Sequence, residues 1–200
     1  MIEGKYAIWM VAVALTAVAL YSYAGSSITS NAIAQDMPVK PGVVRITEYS
    51  DFKCPYCGRA AENVGVLKEK YGDKIEVLYK HFPLSFHQGA DTAAEASECA
   101  RDQGRFWEYH DRLFEDSGRG VDIGRATTLK TIAGELDLDT DAFNECLDSG
   151  AKKSLVKQQI NEASRLGVTG TPTFFIEGEK IVGAQPVETF SRIIDSKIGG

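Results

Sequence analysis

Two cysteines three residues apart, Cys54-Pro55-Tyr56-Cys57, are the most reactive grouping in this 200-residue chain. A Cys-x-x-Cys pair serves either as half of a zinc site or as a dithiol that opens and closes a disulfide. Zinc would need two further ligands. The remaining cysteines, Cys99 and Cys146, stand singly on helical patterns, and His81, His87 and His110 show no ligand spacing. A purely structural Cys54–Cys57 link is disfavoured, because so short a loop gains little closure entropy and is readily reduced.

The surroundings of the pair favour redox chemistry. Val43 to Tyr49 is rich in β-branched residues and predicts a strand, and the cysteines open the helix that follows. Unpaired N–H groups and the positive end of the macrodipole at a helix start stabilise an anion. Cys54 is therefore expected to be the lower-pKa thiolate and the nucleophile. Pro55 fits the first turn, where its missing N–H loses nothing. Cys57, on nearly the same helix face, is the expected resolving thiol.

The elements that must position these cysteines follow from the hydrophobic pattern. The first helix runs to about Tyr71 and stops at Gly72, and Ile75 to Phe82 reads as a second strand ended by Pro83. Residues of about 88–150 carry only helical periodicity: an Ala-rich stretch at 90–103, a face of Phe106, His110, Leu113 and Phe114, another of Leu129, Ile132, Ala133 and Leu136, then Phe143, Cys146 and Leu147. A further helix is expected from about Ala151 to Leu166. Strand character returns at Thr173 to Ile176. Glu177-Gly178-Glu179 is expected to turn into Lys180 to Val182, before a final amphipathic helix through Val187, Phe190, Ile194 and Ile198. The predicted fold class is α/β: βαβ, an all-helical insertion, then ββα.

Tyr6 to Ala24 is a 19-residue run without a charge, with Tyr6, Trp9, Tyr21 and Tyr23 towards its ends. At ~1.5 Å rise per residue it spans ~28 Å, close to the thickness of a bilayer core. It reads as a transmembrane helix, residues 1–24 being a membrane anchor and 25–42 a small, polar linker. Lys5 precedes the run and no Lys or Arg follows until Lys40, which places the N-terminus inside and residues 43–200 outside the cytoplasm. The competing reading is a signal peptide cleaved after Ala32-Ile33-Ala34, which would leave a secreted or periplasmic protein. A net charge of −6 with no basic cluster argues against nucleic acid as a partner.

Three motifs together resemble the DsbA-like disulfide oxidoreductases of the thioredoxin superfamily: Glu48-x5-Cys54-Pro55-Tyr56-Cys57, Gln103-Gly104-Arg105-Phe106-Trp107-Glu108-Tyr109-His110, and Gly170-Thr171-Pro172-Thr173-Phe174-Phe175. The resemblance covers about residues 43 to 200 and implies a thioredoxin fold. It implies that Pro172 is a cis-proline facing the cysteine pair, and that Thr171 offers its backbone to an unfolded substrate. It also implies that Glu48 is a buried acid relaying protons to the inner thiol. Alternation along the first strand puts Glu48 on one face with Val44 and Ile46, although an exposed strand-end glutamate fits the residues equally. Some relatives carry a second disulfide in the insertion, and a Cys99–Cys146 bridge is expected here. The alternative is two buried free thiols acting as small hydrophobes.

The implied activity is dithiol–disulfide exchange with secreted or membrane-protein cysteines, in the direction of disulfide formation. The redox element is the cysteine pair itself, without metal or organic cofactor, and the implied reoxidant is a quinone-linked membrane partner. Pro55-Tyr56 is also the dipeptide of many glutaredoxins, so oxidising strength stays open. A reductase or isomerase fed by a transmembrane electron donor remains an alternative, as does a non-catalytic peptide-binding chaperone module.

Overall fold

A computed structural model describes residues 40–198 of the chain. The proposed anchor and most of the linker lie outside the described residues. Among the described residues no helix is long and apolar enough to cross a membrane.

Four strands form one sheet in the order β2-β1-β3-β4. Strand β1 (Val44–Ser50) runs parallel to β2 (Ile75–His81) and antiparallel to β3 (Thr173–Ile176), which pairs antiparallel with β4 (Glu179–Val182). The β3–β4 connection has two residues, Glu177 and Gly178, with φ of 46° and 86°. Positive φ at both positions suits the twist of a hairpin, so β4 begins at Glu179, one residue earlier than the sequence pattern suggested. Strand β2 ends at His81, one residue short of Phe82.

Helix α1 (Pro55–Tyr71) starts directly after the turn that follows β1 and stops at Gly72, whose φ is 54°. It packs on the sheet face bearing Val44 and Ile46. There Ala60, Val64 and Leu67 join Phe174, Ile176 and the C-terminal helix α7 (Val187–Ile198), through Phe190 and Ile194, in one apolar core. The opposite face holds a smaller cluster of Tyr49, Ala163 and Val168.

Between β2 and β3 lie five helices: α2 (Ala90–Asp102), α3 (Phe106–Gly118), α4 (Ala126–Glu135), α5 (Thr140–Ser149) and α6 (Lys153–Arg165). The first four form the insertion. Helix α5 is set apart from α4 by Asp139, whose carboxylate caps the N–H groups of Asp141 and Ala142. The alanines of α2 are buried, which lets the neighbouring helices approach closely. Phe106, Tyr109, Leu113, Leu129, Ile132 and Phe143 build the insertion's own core, and Phe52, Cys57 and Tyr79 belong to it as well. The insertion therefore closes over the inner cysteine rather than standing apart from it.

Two covalent or charged ties hold α2 in place. A disulfide joins Cys99 to Cys146 on α5, so the free-thiol alternative does not hold. Glu98, fully buried, accepts from His81 Nε2 at 2.8 Å and from Arg101 Nε at 2.9 Å. Burial pushes the Glu98 carboxyl up, but these partners outweigh it and hold its pKa down to about 2. Replacing both Cys99 and Cys146 by alanine should cost about 4 kcal/mol, the loop-entropy value for a separation of 47 residues. Equilibrium urea unfolding, with the Cys54–Cys57 pair held in one redox state, measures it; an unchanged midpoint would contradict the estimate.

Candidate active site

Cys54 is the N-cap of α1, with extended φ and ψ of −85° and 120°, and Pro55 occupies the first helical turn. The Cys54 carbonyl accepts from the N–H of Cys57 at 2.9 Å and of Gly58 at 3.2 Å. Both cysteines are free thiols. Cys54 is 6% exposed and Cys57 wholly buried, so of the two cysteines only the outer one reaches solvent. As a thiol, Cys54 Sγ donates to the Thr171 carbonyl at 3.5 Å. The Thr171–Pro172 bond is cis, and the Thr171 carbonyl lies against the outer cysteine.

The two sulfurs titrate in opposite directions. A hydrogen bond from the Cys57 thiol is the largest influence on Cys54; burial opposes it, and the Thr171 side chain with the N–H groups of Cys57 and Tyr56 reinforces it. The Cys54 pKa falls to about 5. Cys57 is pushed far up, first by burial and then by its bond to Cys54. At neutral pH the reduced pair is one thiolate and one thiol sharing a proton. That is the arrangement of a nucleophile backed by a resolving group.

Behind Cys57 the sheet contributes buried polar groups. Glu48 is 1% exposed, because β1 is flanked by β2 and β3 and covered by α1; the strand-end alternative does not hold. Burial raises its pKa to about 7, against the opposing pull of Ser50 and of the Lys68 ammonium. Lys68, on α1, lies 3.1 Å from the centre of the Trp107 ring, and burial holds its own pKa down despite Asp111 and Glu48. Tyr79 is paired with Glu48 across the parallel β1–β2 register.

The remaining predicted residues are placed as follows. Tyr56 is exposed, with the Arg59 guanidinium 4.5 Å over its ring. Pro172 accepts at its carbonyl from the Gly183 N–H at 2.8 Å. Cys99 and Cys146 are bonded to each other within the insertion, which removes them as further ligands to the reactive pair. His110 is a core residue ringed by Phe52, Tyr79 and Phe114, with Nδ1 bonded to Asp111 at 2.7 Å.

Sequence reasoning did not find Ser50, Tyr79, Lys68 or the clasp made by Asp51. The Asp51 carboxylate accepts from the N–H groups of Lys53 and Leu84, each at 2.8 Å, and pairs with His87 Nδ1 at 2.7 Å. It ties the turn before Cys54 to the loop after β2. Ser50 shares the alternation of Glu48 and could have been found that way; Tyr79 depends on the register between strands. A groove of about 850 Å³ runs beside Cys54 between α1 and α3, lined in part by Gly58, Glu62, Asp111 and Phe114.

Alkylation of the fully reduced full chain should modify Cys54 with a half-point near pH 5 while Cys57 stays unmodified. Peptide mapping after timed iodoacetamide treatment reads both; a half-point near 9 would contradict the site's electrostatics. In stability terms, the Cys54 contribution to the reduced protein is complete above the unfolded thiol pKa. It is lost as pH falls through about 5.

The family model for Thioredoxin matches residues 42–196. The Na(+)/H(+) antiporter NhaA 1 of Salinispora arenicola is 38% identical over 158 residues, covering 78% of this chain and 24% of that protein. The Na(+)/H(+) antiporter NhaA of Herminiimonas arsenicoxydans is 33% identical over 155 residues, with 78% and 24% covered. The chain thus spans about a quarter of the length of these curated relatives. Among solved structures, alpha-DsbA1 of Wolbachia pipientis superposes with a TM-score of 0.70 at 26% identity, covering 86% of this chain and 96% of that one. A thioredoxin-like oxidoreductase from Silicibacter pomeroyi gives 0.66 at 26% identity, over 82% and 91%. Oxidised BdbD of Bacillus subtilis gives 0.69 at 20% identity, over 80% and 90%, a likeness of fold. A match of this extent, over the stretch that carries the cysteine pair and the cis-proline, settles the family: the chain belongs to the thioredoxin family.

Proposed function

We propose that this domain works outside the cytoplasm as a disulfide-forming oxidase on cysteines of secreted and membrane proteins, tethered by residues 1–24. The observation that carries the direction is the split between Cys54 and Cys57. A stabilised Cys54 thiolate stabilises the reduced enzyme, and an enzyme whose reduced form is favoured gives its disulfide away readily. A pKa of about 5 lies between the ~7 of thioredoxin and the ~3.5 of DsbA, which supports a moderate oxidant.

A substrate thiolate attacks Cys54 Sγ of the Cys54–Cys57 disulfide. The sulfur–sulfur bond breaks, its electron pair stays on Cys57, and Cys57 takes a proton. A second substrate thiolate then attacks the substrate sulfur of the mixed disulfide, and Cys54 departs as the thiolate its helix terminus stabilises. Two electrons pass from substrate to enzyme. Glu48, half protonated near pH 7, supplies the proton to Cys57 in the first step and receives it in reverse. Thr171 holds the substrate backbone beside Cys54, and Pro55 and Tyr56 shape the rim.

No metal or organic cofactor enters this scheme. A quinone-linked membrane protein would reoxidise the pair. The membrane setting draws support from the apolar run at Tyr6 to Ala24.

The potential of the Cys54–Cys57 couple in the full chain, equilibrated with glutathione buffers, should lie well above the ~−270 mV of thioredoxin. A value near that of thioredoxin would reject the oxidase direction in favour of a reductase. Cys54→Ser should abolish oxidation of a reduced, unfolded protein; undiminished function would point to a chaperone role. A membrane-impermeant thiol reagent applied to intact cells should label Cys54 after reduction, and protection would overturn the topology.

A further inference from the structure

Among the described residues, Glu48 Oε1, Ser50 Oγ and Tyr79 OH are all buried without a hydrogen-bond partner of good geometry. Buried polar atoms are almost always paired, so three such atoms in one place call for an explanation. The topology brings them together. Glu48 and Ser50 point to the same face of β1 by alternation, and Tyr79 lies opposite Glu48 in the parallel register. Cys57, wholly buried in the first turn of α1, stands within reach of the Ser50 hydroxyl. The common neighbour is Ser50. Its hydroxyl stands close enough to influence the carboxyl of Glu48, the thiol of Cys57 and the phenol of Tyr79.

One hydroxyl carries one donor hydrogen and two acceptor lone pairs, and its hydrogen rotates freely. Its single hydrogen can go to only one of Glu48, Cys57 and Tyr79 at a time, while its lone pairs accept from the other two. Tyr79 is held protonated by burial, with the Glu48, Cys57 and Asp51 charges acting the same way, so it has a hydrogen to donate and its neutral oxygen is a weaker acceptor than an anion. That leaves the Ser50 hydrogen to Glu48 or Cys57, whichever is the anion. These are the two groups between which a proton must move when the Cys54–Cys57 disulfide opens.

We propose that Ser50 carries the proton between Glu48 and Cys57. This rests on the reading of Glu48 as proton donor. When substrate thiolate attacks Cys54, Cys57 leaves as a thiolate. The Ser50 hydroxyl gives its hydrogen to Cys57 Sγ and takes the carboxyl hydrogen of Glu48, which becomes the carboxylate. Sulfur–sulfur bond electrons end on Cys57, and no co-reactant beyond the substrate thiol is required. The charged and titratable groups around Glu48 are Lys68 on α1 and Tyr79 on β2, with Asp111 acting on Lys68 from α3. Across β3 the register partner of Glu48 is Phe174, which carries no charge.

The test is the rate at which dithiothreitol opens the Cys54–Cys57 disulfide in the full chain, divided by the thiolate concentration of the reagent, from pH 5 to 9. Wild type should show an inflection near pH 7, the rate falling as Glu48 loses its proton. Ser50→Ala should lose that inflection and run about tenfold slower below pH 7, short of the ~10²–10⁴-fold of a direct acid. Ser50→Thr, which keeps the hydroxyl, should restore the inflection. In a Glu48→Gln background Ser50→Ala should cost nothing more, since both act on one proton. An inflection retained in Ser50→Ala, or losses that multiply with Glu48→Gln, would overturn the role of Ser50 alone. An inflection retained in Glu48→Gln would overturn the Glu48 reading and the Ser50 relay with it. Removing a hydroxyl that lacks a well-formed bond should leave folding intact, and near-ultraviolet circular dichroism checks this.

Discussion

A sulfur anion at the first turn of a helix, with a neutral thiol buried three residues further in, is the constraint on which the rest of the molecule depends. The pair has one proton for two sulfurs, and the environment decides which keeps it. Cys54 sits where backbone N–H groups converge and solvent still reaches. Cys57 sits where neither is true. Strand β1 must therefore end so that the turn Asp51-Phe52-Lys53 delivers Cys54 to the helix start, and the clasp of Asp51 on Lys53, Leu84 and His87 fixes that turn.

The insertion contributes to the same end from the other side. Its core includes Phe52, Cys57 and Tyr79, so the helices that distinguish this chain from a minimal thioredoxin fold are also the lid that dries the inner thiol. Dryness raises the Cys57 pKa, and its undissociated hydrogen then stabilises Cys54. The disulfide from α2 to α5 and the buried Glu98–His81–Arg101 cluster hold that lid against β2. Stability and reactivity are coupled here, because loosening the insertion would wet Cys57 and weaken the contrast between the sulfurs.

The same face of the sheet carries carboxyl, hydroxyl and phenol groups that an ordinary core would exclude. Burying Glu48 with its carboxyl oxygen unpaired costs stability. In return the group titrates near neutral pH. A carboxylate at its ordinary pKa would hold no proton to give.

Much of this was legible in the residues alone. Cys54 at a strand-to-helix junction, Pro55 in the first turn and Gly72 at the helix end follow from local backbone chemistry, which neighbours in sequence determine. The order βαβ, helices, ββα follows from hydrophobic period. The resemblance carried the cis bond before Pro172 and pointed to the Cys99–Cys146 bridge, neither of which spacing alone could establish. Tertiary structure decided the rest, because burial is a property of what covers a residue. Glu48 fitted a solvated strand end until β2, β3 and α1 closed around it, and Tyr79 joined the site only through the register of a parallel pair 31 residues apart in sequence. Cys54 and Cys57 are the same residue type in one motif; only the fold makes one an anion and the other a thiol.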